Sequence, residues 1–290
     1  MTVDLWGRRA RIGILVIDKD PVPETEFWAM APPGVSVHAA RFGSPRQPGS
    51  EDYGEDPAER VAGSAELARG LDALGAMELD AICLCFTTSS FFGGVGFDQR
   101  FIDRATRAAH AVPVTTVASA MTAALRESGV TRPYLVVPPW FKPAIVEAGE
   151  RYFADAGFPV AGTHLFDLGT GWRNMKPWEV WDHGGQWHVD PDEVCRQVRR
   201  TLPADADGVL MAGSGFRTLA AIGHLESDLC MPVITSNQAG LWESLRIAGI
   251  AAPAPQQALG RLFSTDRGRQ CHHPRRESSF TRSAGSTPDH

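Results

Sequence analysis

The chain repeats itself. LDAICLCFTTSS at 79–90 parallels ADGVLMAGSGFR at 206–217, and VPVTTVASAMTAALRESGV at 112–130 parallels MPVITSNQAGLWESLRIAGI at 231–250. RIGILVIDKD at 11–20 parallels RPYLVVPPWF at 132–141. Three matches in the same order argue for duplication of one structural unit. Within each unit, apolar runs of strand length alternate with stretches of helical period. Strand candidates are Ile12–Ile17, Val35–Arg41, Ala81–Phe86, Val112–Thr115, Tyr134–Val137, Val160–Leu165, Gly208–Ala212 and Pro232–Thr235. Helix candidates are Pro57–Leu74, Gln99–His110, Ala118–Ser128, Lys142–Ala156, Pro191–Thr201, Arg217–Leu225 and Ala239–Ala248. Continuous apolar strands signal burial on both faces, as in parallel sheets covered by helices. The expected fold class is therefore α/β: two pseudo-symmetric doubly wound domains, each with a mostly parallel four-stranded sheet, related by an approximate two-fold. The spacing predicts a first half from 1–116 plus 228–261 and a second from 117–227. The polar, Arg-rich stretch 262–290 reads as a disordered tail.

Ligands of open α/β sheets bind beyond the carboxyl ends of the strands. In a duplicated chain those ends can face each other, so the expected site is a cleft lined by the loops after Ile17, Phe86, Val137 and Ala212. Phe86 is followed by four hydroxyls, Thr87, Thr88, Ser89 and Ser90. Such a turn suits a carboxylate and equally suits a helix cap. Its repeat mate, Gly213-Ser214-Gly215, allows close backbone approach to a ligand. A nucleophilic Ser214 would need a base, and no nearby histidine is evident. Asp18, Lys19 and Asp20 after the first strand form either an acid/base group or a charged turn. Trp140 offers an indole at the matching rim, as an N–H donor or an aromatic wall. Asn237 opens the last helix, as a cap or an anion-holding position. Trp172, Trp178, Trp181 and Trp187 crowd the segment 171–188. It reads as a lid over a bulky ligand or as a loop that seals its own small core.

Composition removes several classes. With 28 basic and 34 acidic residues the net charge is −6, without a basic stripe in the body of the chain, so nucleic acid is not an expected partner. No apolar run approaches the length of a membrane span, and residues 2–10 lack a signal-peptide core, so a cytoplasmic protein is expected. The five cysteines lack zinc spacing, and the histidines are scattered, so neither metal nor other cofactor is implied. A homo-oligomer is left open.

The stretches RIGILVIDKDPVPETEFW, CFTTSSFFGG, VVPPW, MAGSGFRTL and PVITSNQAGLWESLR resemble the aspartate/glutamate racemase superfamily. The resemblance covers roughly residues 11–250, and the nearest branch holds maleate cis-trans isomerase and arylmalonate decarboxylase. In that family a cysteine stands at each of the two strand ends. Here those places are taken by Phe86 and Gly213. Cys85 lies one residue earlier, where strand alternation should point it the other way unless a bulge intervenes. The resemblance implies that Thr87 and Thr88 bind a substrate carboxylate and that Trp140 replaces a tyrosine of the anion pocket. It also implies that Asp20 replaces an asparagine. An aspartate there would repel a carboxylate unless protonated or paired with Lys19.

With no thiol at either place, two-thiol racemisation and a covalent cysteine adduct are not expected. The leading expectation is a cofactor-independent, decarboxylase-like lyase acting at the carbon alpha to a carboxylate through a stabilised enediolate. Its substrate would be a small-molecule carboxylate with an apolar or aromatic substituent. An isomerase, cyclase or hydrolase using carboxylate acid/base groups is the alternative. A non-catalytic carboxylate-binding protein is the third reading.

Overall fold

A computed structural model describes residues 6–47, 49–250 and 259–264. Its eight strands are β1 (Ala10–Ile17), β2 (Val35–Phe42), β3 (Ala81–Cys85), β4 (Val114–Thr116), β5 (Pro133–Val137), β6 (Gly162–Leu165), β7 (Gly208–Met211) and β8 (Val233–Thr235). They form two four-stranded sheets of order β2-β1-β3-β4 and β6-β5-β7-β8. Every pairing is parallel. The second order repeats the first strand for strand, as duplication of one unit requires. β1 shows why its sequence is apolar on both faces. Ile12, Ile14 and Val16 enter one buried cluster, and Leu15 and Ile17 enter the other. In each sheet the chain reverses its winding between the central strands, β1/β3 and β5/β7, which opens a crevice at their carboxyl ends.

Among the described residues ten helices flank the strands: α1 (Val22–Met30), α2 (Pro57–Ala62), α3 (Ala65–Gly75), α4 (Thr87–Ala108), α5 (Val117–Glu127), α6 (Pro143–Asp155), α7 (Pro177–Asp182), α8 (Pro191–Thr201), α9 (Ile222–Leu229) and α10 (Ser236–Ile247). The span expected as one helix over Pro57–Leu74 is two, because Ser64 caps a new start by accepting the Leu67 N–H. α4 begins at Thr87 rather than Gln99. Gly94 interrupts it with φ +72° and ψ 175°, a conformation glycine adopts without strain. The helix expected over Arg217–Leu225 starts later, at Ile222, after a short 3-10 turn over Leu219–Ala221. α1 and α7 lie where no helix was expected.

Two boundaries need correction. β8 pairs with β7 in the second sheet, so the stretch 228–261 does not belong wholly to the first half. Its helix α10 nevertheless crosses to the first sheet. A side chain at Gly240 would stand 3.0 Å from Val117, 3.1 Å from Phe27 and 3.2 Å from the Cys83 sulfur. The missing side chain is what lets this helix dock so closely. The second correction concerns the chain end. Leu262 and Phe263 are buried in the core, and Gln238 Nε2 donates to the Leu259 carbonyl at 2.7 Å. The expected tail therefore cannot begin at Leu262; its remainder, 265–290, lies outside the described residues.

Candidate active site

The carboxyl ends of β1, β3, β5 and β7 meet at one cleft of about 630 Å³, counting its open mouth. The first wall grows from β3. Phe86 is extended and α4 starts directly after it, so the opening amides of the helix have no intrahelical acceptors. Thr87 and Thr88 line the cleft beside them. Helix N-terminal amides and hydroxyls together favour an anion. Ser89 does not line the cleft; its hydroxyl turns back to the Phe86 carbonyl at 3.1 Å.

The facing wall grows from β7. Gly213 has φ +119°, and a side chain there would stand 3.0 Å from Pro138. Its amide donates to Ser236 Oγ at 2.8 Å. Ser214 lines the cleft, and its buried hydroxyl has no partner among the described residues. Asn237 lies behind the wall rather than in it. Its Nδ2 donates to the Ser214 carbonyl at 2.9 Å and to Glu26 at 2.7 Å. Glu26 also accepts the Thr218 and Leu219 amides, each at 2.9 Å. One buried carboxylate of α1 thus holds the second half's strand-end loop in place.

The turn after β1 separates its three charged residues. Asp18 and Lys19 are exposed and outside the cleft, whereas Asp20 is 2% exposed and lines it. Arg41 pins the turn by donating to the carbonyls of Ile17 (3.3 Å), Asp18 (3.0 Å) and Asp20 (3.1 Å). Asp20 Oδ1 accepts the Val22 N–H at 3.0 Å. Its Oδ2 faces Gly215, where a side chain would lie 3.0 Å away and only 2.9 Å from Trp181. The missing side chain at Gly215 therefore leaves room for both Asp20 and Trp181. Burial pushes the Asp20 carboxyl up to about 7; the Val22 N–H pulls the other way, and the nearby Glu26 adds to the rise. Pairing with Lys19, one of the two ways of sparing a bound carboxylate from repulsion, does not occur. Protonation is the other.

Cys85 corrects an expectation. The register β1–β3 runs unbroken, with Val16 opposite Cys85, so there is no bulge. The thiol shares the face of Cys83, yet as the last residue of its strand it reaches the cleft lining. Burial pushes it well above the usual thiol range, with Cys83 and Asp20 adding to the effect. A thiol so raised is a poor nucleophile.

Aromatic groups close the remaining sides. Trp178 and Trp181 of α7 line the cleft, and Trp181 packs 5.5 Å from Trp140, which meets Phe216 at 6.4 Å. Trp187 is exposed instead, and Trp172 packs on His188 at 5.1 Å. The long connection 43–56, absent from the expected lining, contributes Ser44, Arg46, Glu51 and Tyr53 to it. Its length without periodicity was the available signal. Arg46 pairs with Asp182 of α7, and Gln186 donates to the Lys19 carbonyl at 3.3 Å. Lys142 stands 5.0 Å over the Tyr53 ring and donates to the Glu51 carbonyl at 2.9 Å. The Trp-rich segment is thus tied to loops of the opposite half. Among the described residues, no group of three or more His, Cys, Asp or Glu side chains could hold a metal ion, and no helix is long and apolar enough to cross a membrane.

Two parallel four-stranded sheets of matching order with a cleft at their strand ends define a duplicated α/β class. The family model described as arylmalonate decarboxylase matches residues 54–263. The arylmalonate decarboxylase of Bordetella bronchiseptica is 31% identical over 202 residues, 68% of this chain and 75% of that protein. The chain belongs to the arylmalonate decarboxylase family. Among solved structures, unliganded arylmalonate decarboxylase has a TM-score of 0.69 at 25% identity, covering 88% of this chain and 98% of that one. The maleate isomerase Iso of Pseudomonas putida S16 has a TM-score of 0.73 at 20% identity, covering 88% and 98%, and shares the fold.

Proposed function

We propose that the protein is a cofactor-independent decarboxylase acting on a malonate-type substrate with an apolar or aromatic substituent. The observation that carries this reading is Asp20, a buried carboxyl that titrates near neutrality inside the cleft. A general acid works best with a pKa near the operating pH. In this reading Thr87, Thr88 and the first amides of α4 hold the retained carboxylate. The other carboxylate lies against the aromatic groups, where loss of hydration favours its departure as CO2. The breaking C–C bond leaves its electron pair on the retained unit as an enediolate. Protonated Asp20 then gives its proton to the alpha carbon, and the Asp20 carboxylate regains a proton from water. The sequence resemblance assigns the cysteine positions to Phe86 and Gly213, and in this reading the proton comes from a carboxyl instead. Family membership supports decarboxylase or isomerase chemistry, and the lining of Trp140, Trp178 and Trp181 supports an aromatic substituent.

The test is incubation with aryl- and alkylmalonates, following CO2 release and the handedness of the product. Turnover that falls sharply in Asp20→Asn and Thr87→Ala supports the reading. Absence of turnover on every substituted malonate, or turnover indifferent to both substitutions, sinks it.

A further inference from the structure

One buried carboxylate has no part in that chemistry. Asp98 lies in α4 and is 3% exposed. It accepts three hydroxyls: Ser90 at 2.6 Å on Oδ1, and Tyr152 at 2.7 Å and Thr116 at 3.0 Å on Oδ2. No cation pairs with it among the described residues. Burying a carboxylate this way is expensive, and an asparagine of the same shape would cost less. An asparagine, however, presents one acceptor oxygen, whereas the carboxyl group presents two for the three hydroxyls, whose hydrogen bonds work against the rise that burial imposes on its pKa.

The three donors come from different places. Thr116 caps α5 by accepting the Ser119 N–H at 3.0 Å, and Tyr152 belongs to α6 of the second half. Ser90 belongs to the first turn of α4, the turn that opens with Thr87 and Thr88. Between Ser90 and Asp98 the helix is interrupted at Gly94. The backbone ladder cannot carry orientation rigidly across such a break, so the side-chain bond from Ser90 to Asp98 spans it. Residues three apart share a helix face, so fixing Ser90 fixes the rotation of Thr87.

We propose that Asp98 is a positioning residue for the carboxylate pocket: through Ser90 it locks the first turn of α4 so that Thr87 and Thr88 face the cleft. The α5 and α6 links anchor Asp98 itself. This inference rests on the proposed carboxylate pocket at Thr87 and Thr88, but adds a residue outside the cleft on which that pocket's affinity depends.

Calorimetry with phenylacetate, a monocarboxylate of the proposed product class, tests it on the full chain. Ser90→Ala and Asp98→Asn should each weaken Kd roughly ten- to a hundredfold, the scale on which a misplaced binding group acts. Tyr152→Phe removes one bond to Oδ2 of the same carboxylate, leaving Thr116 to anchor that oxygen and the Ser90 bond on Oδ1 untouched. It should lower the urea midpoint but leave Kd within about twofold of wild type, a small fraction of the decade that each 1.4 kcal/mol makes. Ser90→Ala keeps the test decisive if Asp98→Asn fails to fold. Wild-type affinity in Ser90→Ala overturns the inference, as does equal weakening in Tyr152→Phe, which would mark general loosening. Failure of the wild-type protein itself to bind any carboxylate overturns the pocket reading and the inference with it.

Discussion

Replacing Asp20 by asparagine should damage activity and strengthen the fold, and the two effects follow from one number. The folded carboxyl titrates near 7 against a reference of 3.8. That is a difference of about 3 pH units, or roughly 4 kcal/mol against the ionised form. The folded state holds the proton more tightly than the unfolded chain. Stability from this group is therefore fully present below about pH 3.8 and is lost as pH rises through 7. By pH 5 roughly 1.5 kcal/mol has been lost, and by pH 8 about 4 kcal/mol. Asparagine carries no such penalty and keeps an oxygen for the Val22 N–H. Urea unfolding should therefore show Asp20→Asn gaining about 2–3 kcal/mol more over wild type at pH 8 than at pH 5. Malonate turnover in the same variant should fall at least about a hundredfold, the usual contribution of a positioned general acid. Wild-type turnover should drop about tenfold per pH unit above 7, as the acid form is lost. A stability difference that is the same at both pH values would refute the reasoning, because Asp20 would then not be a buried acid titrating near neutrality.

Three further outcomes are expected. Gly215→Ala places a methyl 3.0 Å from Asp20 Oδ2 and 2.9 Å from Trp181; turnover should fall with little change in the circular dichroism of the fold, and an unimpaired variant would show that the space at Gly215 is unimportant. Arg46→Ala unpairs Asp182 and frees α7 from the 43–56 loop, so KM should rise several-fold with kcat nearly kept; an unchanged KM would mean the tie does not hold the lid. Cys85 should resist iodoacetamide in the native protein at pH 7, because burial keeps its thiol protonated, and should react after unfolding; mass spectrometry of the labelled peptide reads this, and rapid native labelling would contradict the burial.

How much was legible depends on whether a feature was local. The strands were readable because parallel strands buried on both faces must be apolar throughout, and α8 because Asp190 and Pro191 mark its start. α4 was read late because Gly93-Gly94 looks like a loop in sequence; the helical path does break at Gly94, but a helical stretch already precedes it from Thr87. The chain end was misread because RLF sits in a polar stretch, yet Leu262 and Phe263 find the core. Arg46 had no signal of its own. Its part in the cleft depends on Asp182, far along the chain.

The sequence by itself determined the duplicated α/β halves, the hydroxyl turn at Thr87 and Thr88, and the facing Gly213-Ser214-Gly215. These are carried by runs of neighbouring residues whose period and backbone freedom are local properties. Tertiary structure decided which of Asp18, Lys19 and Asp20 enters the cleft, that Cys85 reaches it as a protonated thiol, and that Asp20 titrates near neutrality. Those outcomes are set by desolvation, and desolvation comes from groups remote in sequence: the Gly215 loop lies against Asp20 from the other half, and Glu26 adds its charge from α1.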